Sequence, residues 1–351
     1  MSTLVLGAGY AGVMAANRLA GHGHPVTLVT PHPWFVERIR LHAFVSGARP
    51  DARRALADLL DPAVDVALDT AVRIDDDVVH LASGAARGFE TLVYAVGSGA
   101  PRVSRAHRIA SLADAERLRN ALAARPGARV TIVGAGLTGV ELASVLREAG
   151  REVRIVTASV PQRRAAQAHL TELRRGGVDV ETGSVVDVGS LDDSDIHVDT
   201  TGFTVPTLAS DSGLPTDPEG RLLVDDTLTV PGHPRVLGAG DAVHVVGPRG
   251  AHLRPACATA MPMGAHAADV VHARGTDRDP EPFGLGYLAQ CVDLGGGRGH
   301  VQLVRADDSE RTVALTGRAG GLLKEAICRM TLRWLAQADR YSWPAPPAAA
   351  Q

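Results

Sequence analysis

The chain has 351 residues, which is long enough for two or three domains with a sizeable core. Its formal net charge is only −3, so nothing in the charge points to a nucleic-acid partner. The three cysteines are far apart and odd in number, which argues against a disulfide framework and for a reducing compartment. Because no stretch approaches the ~20 apolar residues of a membrane span and the start lacks a signal-peptide pattern, we expect a cytoplasmic protein.

The first elements in chain order predict a β-α-β unit. Residues 4–30 combine an apolar strand, a glycine-rich turn, an amphipathic helix and a second apolar strand. In the G-x-G-x-x-G spacing, the first glycine makes the tight turn, the second lets the backbone approach a pyrophosphate, and the third lets helix pack closely on strand. The helix N-terminus adds free N–H groups and a partial positive charge. The candidate dinucleotide contacts here are Gly7, Gly9, Tyr10, Ala11 and Gly12.

The segment after this unit carries further candidates. The second strand of a dinucleotide-binding domain usually ends in an acid that holds the adenosine ribose. Here that residue is Thr30, whose hydroxyl can still bond a ribose. Arg38 and Arg40 could face the phosphates or the adenine, or they could form a solvated pair on a helix. We predict a short helix over Asp51–Leu60.

A series of short strands is predicted next. The strands expected to pair antiparallel are Val64–Ala67, Thr70–Ile74 and Val78–Leu81. Val72 in the second of these is a candidate cofactor contact. Phe89–Ser98 predicts a buried strand that runs into glycine, where the backbone must come close to a bulky ligand. The candidate contacts at its end are Val96, Gly97 and Ser98.

A second copy of the β-α-β unit follows. A capping-box pattern at Ser111 predicts the helix that opens its domain. Thr131–Thr157 then overlies Leu4–Thr30 without a gap at an offset of 127 residues. One such motif is a weak signal, whereas two in register favour two bound dinucleotides over a duplicated shell without cofactor. Two dinucleotides in one chain indicate a flavin-and-nicotinamide enzyme. The candidate contacts are Gly134, Gly136, Leu137, Thr138, Gly139 and Thr157.

The helix after this unit bears on NADH against NADPH. It is predicted near Gln162–Arg175, and its first residues include Arg163 and Arg164. Because Thr157 stands where an acid would favour a free 2′-hydroxyl, these arginines could meet a 2′-phosphate. We therefore lean slightly to NADPH, with a solvated helix face as the alternative.

The remaining strands and helices complete the pattern. Strands are predicted at Val178–Glu181, at Ile196–Asp199 ahead of Thr201-Gly202, and at Arg235–Leu237 ahead of Gly240-Asp241. A helix near Pro255–Ala273 contains Met261, and Gly202, Gly240, Asp241 and Met261 are candidate cofactor contacts. The expected C-terminal strands are Tyr287–Asp293, His300–Arg305 and Thr312–Leu315.

A predicted amphipathic helix over Gly320–Asp339 follows these strands. Its apolar stripe comprises Leu323, Ile327, Met330 and Trp334. Such a stripe packs on its own sheet or docks on a membrane surface, and we favour the first. The Pro/Ala-rich residues 344–351 are expected to be disordered.

By Asp241 the order of motifs resembles, over nearly the whole chain, the two-dinucleotide-binding flavoproteins related to pyridine nucleotide–disulfide oxidoreductases. The resemblance implies an α/β fold with two Rossmann-like domains. An FAD domain (1–105 and 222–275) would be split by an NAD(P)H domain (106–221), and a small α+β domain (276–343) would follow. In the family, the aspartate matching Asp241 bonds the ribityl–phosphate region of FAD. The glutamate matching Glu141 lies near the nicotinamide side of the flavin and is our catalytic candidate, unless it only complements the helix dipole.

The resemblance also bears on the electron acceptor. Disulfide reductases carry a redox cysteine on the helix after the first unit, where this chain has Leu41-His42-Ala43 and no cysteine before Cys257. A disulfide mechanism is therefore not expected. Cys257 could approach the flavin if its helix resembles the family's, although a small core residue is favoured.

The remaining relatives look like type II NADH:quinone oxidoreductases and apoptosis-inducing-factor-like oxidoreductases. At the segment where those enzymes carry Gln-Gln-Gly, this chain has Pro262-Met263-Gly264, which leaves the acceptor open. We expect hydride transfer from NAD(P)H to FAD and then electron transfer to a small acceptor, with a quinone as one candidate. The alternatives are a reductase for a ferredoxin or a partner oxygenase, and a non-catalytic NAD(P)H-responsive flavoprotein. We expect a monomer or homodimer and, without metal-ligand spacing, no metal.

Overall fold

The computed structural model describes residues 2–99, 106–159, 161, 163–184 and 194–348. The strands are β1 (Thr3–Leu6), β2 (Val26–Thr30), β3 (Trp34–Val36), β4 (Arg53–Ala55), β5 (Val64–Leu68), β6 (Ala71–Ile74), β7 (Val78–Leu81), β8 (Ala86–Gly88), β9 (Thr91–Tyr94), β10 (Val130–Val133), β11 (Val153–Thr157), β12 (Asp179–Thr182), β13 (Ile196–Asp199), β14 (Leu222–Val224), β15 (Thr229–Val230), β16 (His233–Gly238), β17 (Val243–Val245), β18 (Ala289–Asp293), β19 (Gly299–Val304) and β20 (Glu310–Thr316). The α-helices are α1 (Tyr10–Gly21), α2 (Leu41–Val45), α3 (Leu112–Ala124), α4 (Leu137–Glu148), α5 (Arg164–Arg175), α6 (Leu208–Asp211), α7 (Cys257–Gly275) and α8 (Gly317–Ala336). Short 3₁₀ helices lie at Arg38–Arg40, Leu56–Asp58 and Ala338–Arg340.

The first Rossmann-like domain is built on a sheet in the order β15-β16-β9-β1-β2-β5. All pairs from β16 to β5 are parallel, and only β15 runs antiparallel. The four residues of β1 are buried, as expected for a central strand covered on both faces. Helices α1 and α7 pack closely, since a Cβ on Gly264 would lie 2.2 Å from the Ala11 carbonyl oxygen. This packing fixes the N-terminus of α1 at the carboxyl edge of the sheet.

The second Rossmann-like domain has the parallel sheet β12-β11-β10-β13 with α4 crossing from β10 to β11. The predicted capping box at its entrance is present. The Ser111 hydroxyl accepts a hydrogen bond from the Asp114 N–H, and the Asp114 carboxylate accepts one from the Ser111 N–H, both at 3.1 Å. The prediction of an α/β fold with paired Rossmann-like sheets is confirmed, whereas the exact domain limits stay a prediction.

The C-terminal region is the antiparallel sheet β18-β19-β20 with α8 against it. The buried face of α8 comprises Gly320, Cys328, Thr331 and Leu335. The predicted stripe coincides with the core face only in part, since Trp334 packs against the core whereas Leu323 and Met330 are 37% and 39% exposed. The reason is a close backbone approach, since a Cβ on Gly320 would lie 2.4 Å from the Gly299 carbonyl oxygen.

Two other local expectations are wrong. Part of the helix expected over Asp51–Leu60 is strand β4, because it pairs antiparallel with β3. Strand β5 does not join the antiparallel group but adds to the main sheet in parallel with β2. In the expected tail, the Pro344 carbonyl accepts a hydrogen bond from the Gly286 N–H at 2.9 Å, so this part is packed. Residues 100–105, Gln162 and 349–351, on which other expectations fall, lie outside the described residues.

Candidate functional site

The first glycine turn has the shape that a pyrophosphate site needs. Gly7 has φ +100°, and a Cβ on Gly12 would lie 1.8 Å from the Gly7 carbonyl oxygen, so both positions need glycine. A Cβ on Gly9, by contrast, would meet no atom within 4 Å. The side chains of Tyr10 and Ala11 are buried in the core, so these residues can offer a ligand only their backbone groups.

The second glycine turn repeats this geometry. Gly134 has φ +103°, and a Cβ on Gly139 would lie 2.2 Å from the Gly134 carbonyl oxygen. Gly136 again has open space where a Cβ would stand, and the adjoining Leu137 and Thr138 are exposed.

Both turns lead into a helix whose N-terminus is free to bind an anion. Gly9 caps α1 and Gly136 caps α4, without a side-chain capping bond in either case. Neither helix, each described over its whole length, has an acidic residue in its first turn. Free N–H groups and the positive end of the helix dipole therefore point into two open glycine turns. The residues present fit the pyrophosphates of two dinucleotides.

Three predicted contacts from distant parts of the chain meet beside the first turn. The Ser98 hydroxyl donates a hydrogen bond to Asp241 at 2.7 Å. Arg38 Nη1 donates to the carbonyl and hydroxyl oxygens of Ser98, both at 3.1 Å, and lies 3.9 Å from the Asp241 carboxylate. Gly97, with φ +68°, turns the chain here, next to Val96. This polar group is partly exposed and suits the hydroxyl and phosphate groups of a dinucleotide.

The strand-end threonines use their hydroxyls locally. Thr30 donates to the His32 carbonyl at 3.4 Å and Thr157 to the Ser159 carbonyl at 3.1 Å, and both residues are buried. Their contacts to a ribose stay a prediction.

The other predicted cofactor contacts are scattered. Gly240, with φ +93°, turns the chain tightly against α1, where its Cβ would lie 3.2 Å from the Ala11 Cβ. Gly202 is exposed with φ +65°. The Val72 side chain is 50% exposed on β6, whereas Met261 is only 3% exposed and belongs to the core between α7 and its neighbours. The Met261 side chain is therefore unsuited to contact a cofactor.

Two of the predicted arginines are already paired. Arg40 is buried and bonds Glu37 at 3.0 Å and Glu325 at 2.6 Å, so it is neither a solvated residue nor free for a phosphate. Arg163 Nη2 bonds Asp308 at 2.8 Å, and this pairing weakens its predicted role at a 2′-phosphate. The side chain of Arg164 is exposed at the start of α5.

Glu141 lies in a buried cluster of ionisable side chains from four parts of the chain. It accepts hydrogen bonds from Lys324 Nζ and from the Asp293 N–H, the latter at 3.0 Å. His42 bridges two carboxylates, with Nδ1 3.5 Å from Glu141 and Nε2 3.2 Å from Asp293. Glu141 therefore does more than complement the dipole of α4, and it lies beyond the first turn of that helix.

The cluster keeps its charges at neutral pH. Burial tends to raise the pKa of Glu141, but Lys324 and His42 outweigh burial and hold this pKa below its ordinary value. Burial tends to lower the pKa of Lys324, but Glu141 raises it above its ordinary value. Burial also opposes ionisation of Asp293, yet the hydrogen bond from His42 holds its pKa at about 2. Glu141 and Asp293 are thus carboxylates and Lys324 is an ammonium.

A cavity of about 580 Å³ adjoins this cluster. It lies between α2, α4, the β18–β19 turn and α8. Its apolar lining residues include Ile39, Val145 and Leu322, and its charged or ionisable ones are Arg40, His42, Glu148, Asp293, Arg298, Lys324 and Glu325. The resemblance implies that α2 and Glu141 lie near a bound flavin, and the contact of His42 with Glu141 joins these two segments next to the cavity.

Sequence reasoning missed His42, Asp293 and Lys324 as site residues. His42 drew attention only as the residue that replaces a redox cysteine, and Lys324 only as part of an amphipathic helix. Lys324 and Glu141 are 183 residues apart, so no local spacing could have paired them.

The three cysteines, all in described segments, are free thiols. Burial raises the pKa of Cys257 to about 12 and that of Cys291 to about 11, and it also raises the pKa of Cys328. Thiolates are the reactive form, and at these raised pKa values the three thiols are protonated at neutral pH.

Comparisons with known proteins agree with this geometry. Residues 1–268 match the pyridine nucleotide-disulphide oxidoreductase family, and the chain belongs to that family. Its members are FAD- and NAD(P)H-dependent oxidoreductases, so the predicted cofactors, FAD and NAD(P)H, are confirmed at the level of the family.

One curated relative is the ferredoxin–NAD(+) reductase component of the biphenyl dioxygenase system of Paraburkholderia xenovorans (strain LB400). It is 30% identical over 199 residues, which are 50% of this chain and 48% of the relative, so the match spans about half the length of that protein.

Among solved structures, the sulfide:quinone oxidoreductase of Aquifex aeolicus has a TM-score of 0.79 at 16% identity, covering 96% of this chain and 92% of its own. NDH2 of Plasmodium falciparum in complex with NADH has a TM-score of 0.77 at 13% identity, covering 98% and 99%. At these identities the structures establish the shared fold. Among the residues described, no helix has the length and apolar character needed to cross a membrane.

Proposed function

We propose that this chain oxidises NAD(P)H and passes the electrons, through bound FAD, to a small organic acceptor. Two open glycine turns, each at an uncapped helix N-terminus and one in each Rossmann-like domain, carry this proposal. When bound, FAD supplies the hydride-accepting and electron-releasing chemistry. The work of the protein is to bind, orient and supply protons.

The two turns have separate tasks. The turn around Gly9 and the group of Arg38, Ser98 and Asp241 hold FAD through its phosphates and hydroxyls. The turn around Gly136 holds the pyrophosphate of NAD(P)H. The predicted catalytic role of Glu141 becomes a positioning and proton-handling role, because its carboxylate is fixed by Lys324 and faces His42.

The acceptor proposed for the cavity beside His42 is a quinone-like ring. A two-electron organic acceptor takes up protons when it is reduced, and His42 lies between two carboxylates while lining the cavity. The volume of about 580 Å³ falls in the range of small-molecule sites, roughly 300–1,000 Å³. The apolar wall residues (Ile39, Val145, Leu322) suit the faces of a flat ring, and the polar and charged ones suit its carbonyl oxygens.

The test is an anaerobic stopped-flow experiment on the flavin-loaded protein. NADH or NADPH should bleach the flavin absorbance, and a water-soluble quinone should restore it. If neither nucleotide bleaches the flavin, the proposed oxidoreductase activity is refuted.

A cavity variant tests the acceptor site. Ala149→Phe, at the cavity wall, should slow re-oxidation by the quinone by about tenfold or more and leave reduction by the nucleotide unchanged. Ala124→Phe, at the exposed end of α3, is the matched control and should change neither step. Equal re-oxidation rates in both variants would place the acceptor elsewhere.

A ferredoxin is the second candidate acceptor, and the match to a ferredoxin–NAD(+) reductase component favours it. A protein acceptor docks on the surface, so its reduction would be insensitive to Ala149→Phe. Faster re-oxidation by ferredoxin than by any quinone would select this alternative. Bleaching without re-oxidation by any acceptor would instead indicate an NAD(P)H-responsive flavoprotein.

A further inference from the structure

The residue that reads the 2′ position of the nicotinamide dinucleotide is missing from its usual place. In NADH-binding Rossmann domains an acid at the end of the second strand bonds the ribose 2′-hydroxyl, and an arginine nearby accommodates a 2′-phosphate. Strand β11 ends instead in Thr157, whose hydroxyl is bonded to the Ser159 carbonyl. Any charge that selects between NADH and NADPH must therefore come from elsewhere.

The β19–β20 hairpin brings two carboxylates to the segment that follows β11. Arg163 and Arg164 lie at the start of α5. Arg163 Nη2 bonds Asp308 Oδ2 at 2.8 Å. Glu310 accepts hydrogen bonds from the Arg164 N–H at 3.0 Å and from the Ala165 N–H at 3.3 Å.

The hairpin is firmly fixed in this position. Asp308 is only 5% exposed and also accepts a bond from Gln290 at 2.9 Å and pairs with Arg254 at 3.1 Å. Further along α5, the His169 ring contacts the His300 ring of β19 edge to face, with centroids 4.5 Å apart. The hairpin thus contacts α5 both at its first residues and further along the helix, and these contacts hold the two carboxylates beside it.

These contacts offset much of the positive charge that the sequence suggests at the start of α5. The positive charge of Arg163 is balanced by a buried carboxylate, and the N-terminus of α5 is occupied by Glu310. Asp308 is already paired with both Arg163 and Arg254. It is therefore the charge of Glu310, beside Arg164, that would oppose a 2′-phosphate and not the uncharged 2′-hydroxyl of NADH.

We propose that Glu310, supported by Asp308, selects NADH over NADPH by taking the role of the absent acid at Thr157. The carboxylate comes from the C-terminal hairpin and not from the nicotinamide domain itself. This replaces our slight lean to NADPH, which depended on Arg163 and Arg164. The inference rests on the proposed use of NAD(P)H.

Calorimetric titration of the flavin-loaded protein with ADP-ribose and with 2′-phospho-ADP-ribose tests the selection without any turnover. Wild type should bind ADP-ribose more tightly. Glu310→Gln removes the charge at nearly constant shape and should tighten 2′-phospho-ADP-ribose about tenfold, the size expected when one like charge near a protein surface is removed. Binding of ADP-ribose should change less than twofold, and kcat/KM for NADPH relative to NADH should rise in parallel.

Asp307→Asn is the matched control. Asp307 lies in the same turn and carries the same charge, but its carboxylate bonds Ser309, at 3.0 Å to the N–H and 2.6 Å to the hydroxyl. Asp307→Asn should therefore leave the ratio of the affinities for ADP-ribose and 2′-phospho-ADP-ribose unchanged. If the charge of Glu310 and not its shape determines the selection, Glu310→Ala and Glu310→Gln should give the same ratio of affinities for the two fragments.

The outcomes separate this inference from the proposed function. A wild type that prefers the 2′-phosphate, an unchanged ratio in both Glu310 variants, or an equal shift in Asp307→Asn would overturn the inference. If neither nucleotide fragment binds to wild type, the proposed use of NAD(P)H itself fails.

Discussion

Replacing Lys324 by methionine should destabilise the protein by about 3 kcal/mol at pH 8, since it leaves a buried carboxylate without its main counter-charge. The side chains of Lys324 and Glu141 are 11% and 15% exposed, so water screens them little. Breaking a buried pair from one side costs roughly 3–5 kcal/mol, and we take the lower figure because His42 still faces Glu141 at 3.5 Å. Without Lys324, burial dominates and the pKa of Glu141 should rise above its ordinary value.

The sign of the pH dependence follows from that rise. A carboxyl whose folded pKa exceeds its unfolded value destabilises the folded state most when the pH is above both values. The loss should therefore shrink as the pH falls toward 5. Urea unfolding at pH 8 and pH 5, followed by circular dichroism, measures both losses.

A double variant makes this prediction refutable. Lys324→Met with Glu141→Gln removes both charges and should recover at least half of the stability lost in Lys324→Met, because no unpaired charge remains. Arg329→Met is the control, since its pair with Glu325 on the same helix leaves Arg329 78% exposed and contributes about 0.3–0.5 kcal/mol. Additive losses in the double variant, or a loss in Arg329→Met as large as that in Lys324→Met, would show that the Lys324–Glu141 charge pair is not what stabilises this region.

Three other predictions concern the rest of the site and the interfaces around it. Gly9→Ala should fold with an unchanged melting temperature but retain at least tenfold less flavin, measured from the absorbance of the purified protein. Gly12→Ala should fail to fold, because its Cβ would lie 1.8 Å from a carbonyl oxygen. Burial lowers the pKa of His169 from 6.5 to about 4, so the free energy of unfolding should fall by about 3 kcal/mol as the pH drops from 6.5 to 4. His169→Phe should remove this part of the pH dependence, measured by urea unfolding across that pH range. Iodoacetamide at pH 8 should leave flavin reduction intact, because Cys257 and Cys291 are protonated there, and rapid loss of activity would contradict the high thiol pKa values.

The two β-α-β units could be predicted because their determinants are local. Gly7 and Gly12 are required by one turn, and the same spacing recurs at Gly134 and Gly139, so a short stretch of sequence contains the whole requirement. The core face of α8 could not be found in this way. It is selected by the contact of Gly320 with the backbone of Gly299, and a periodicity of apolar residues contains no record of that contact.

Some residues of the candidate site could likewise be predicted from local sequence, and others could not. Ser98 and Asp241 could each be predicted from its own motif, whereas Arg38 is one of two arginines whose cofactor role the sequence leaves open, and only the fold shows that the three bond one another. His42 and Lys324 could not, since each gains its role from Glu141, a residue of another domain. When the partner of a charged residue is distant in sequence, as for Glu141, a local motif identifies the residue but not the interactions that set its ionisation.

The same reasoning assigns the C-terminal region an electrostatic role at both nucleotide-facing positions of the second Rossmann-like domain. Lys324 holds the pKa of Glu141 in α4 below its ordinary value, and Asp308 and Glu310 offset positive charge at the start of α5. The glycine turns recognise a pyrophosphate through backbone groups alone, so any dinucleotide satisfies them. Discrimination between dinucleotides needs side-chain charge, and here the C-terminal sheet and helix supply much of it. Binding of a dinucleotide and the choice among dinucleotides are therefore encoded in different parts of this chain, and substitutions in the β19–β20 hairpin can change the choice while the turns stay intact.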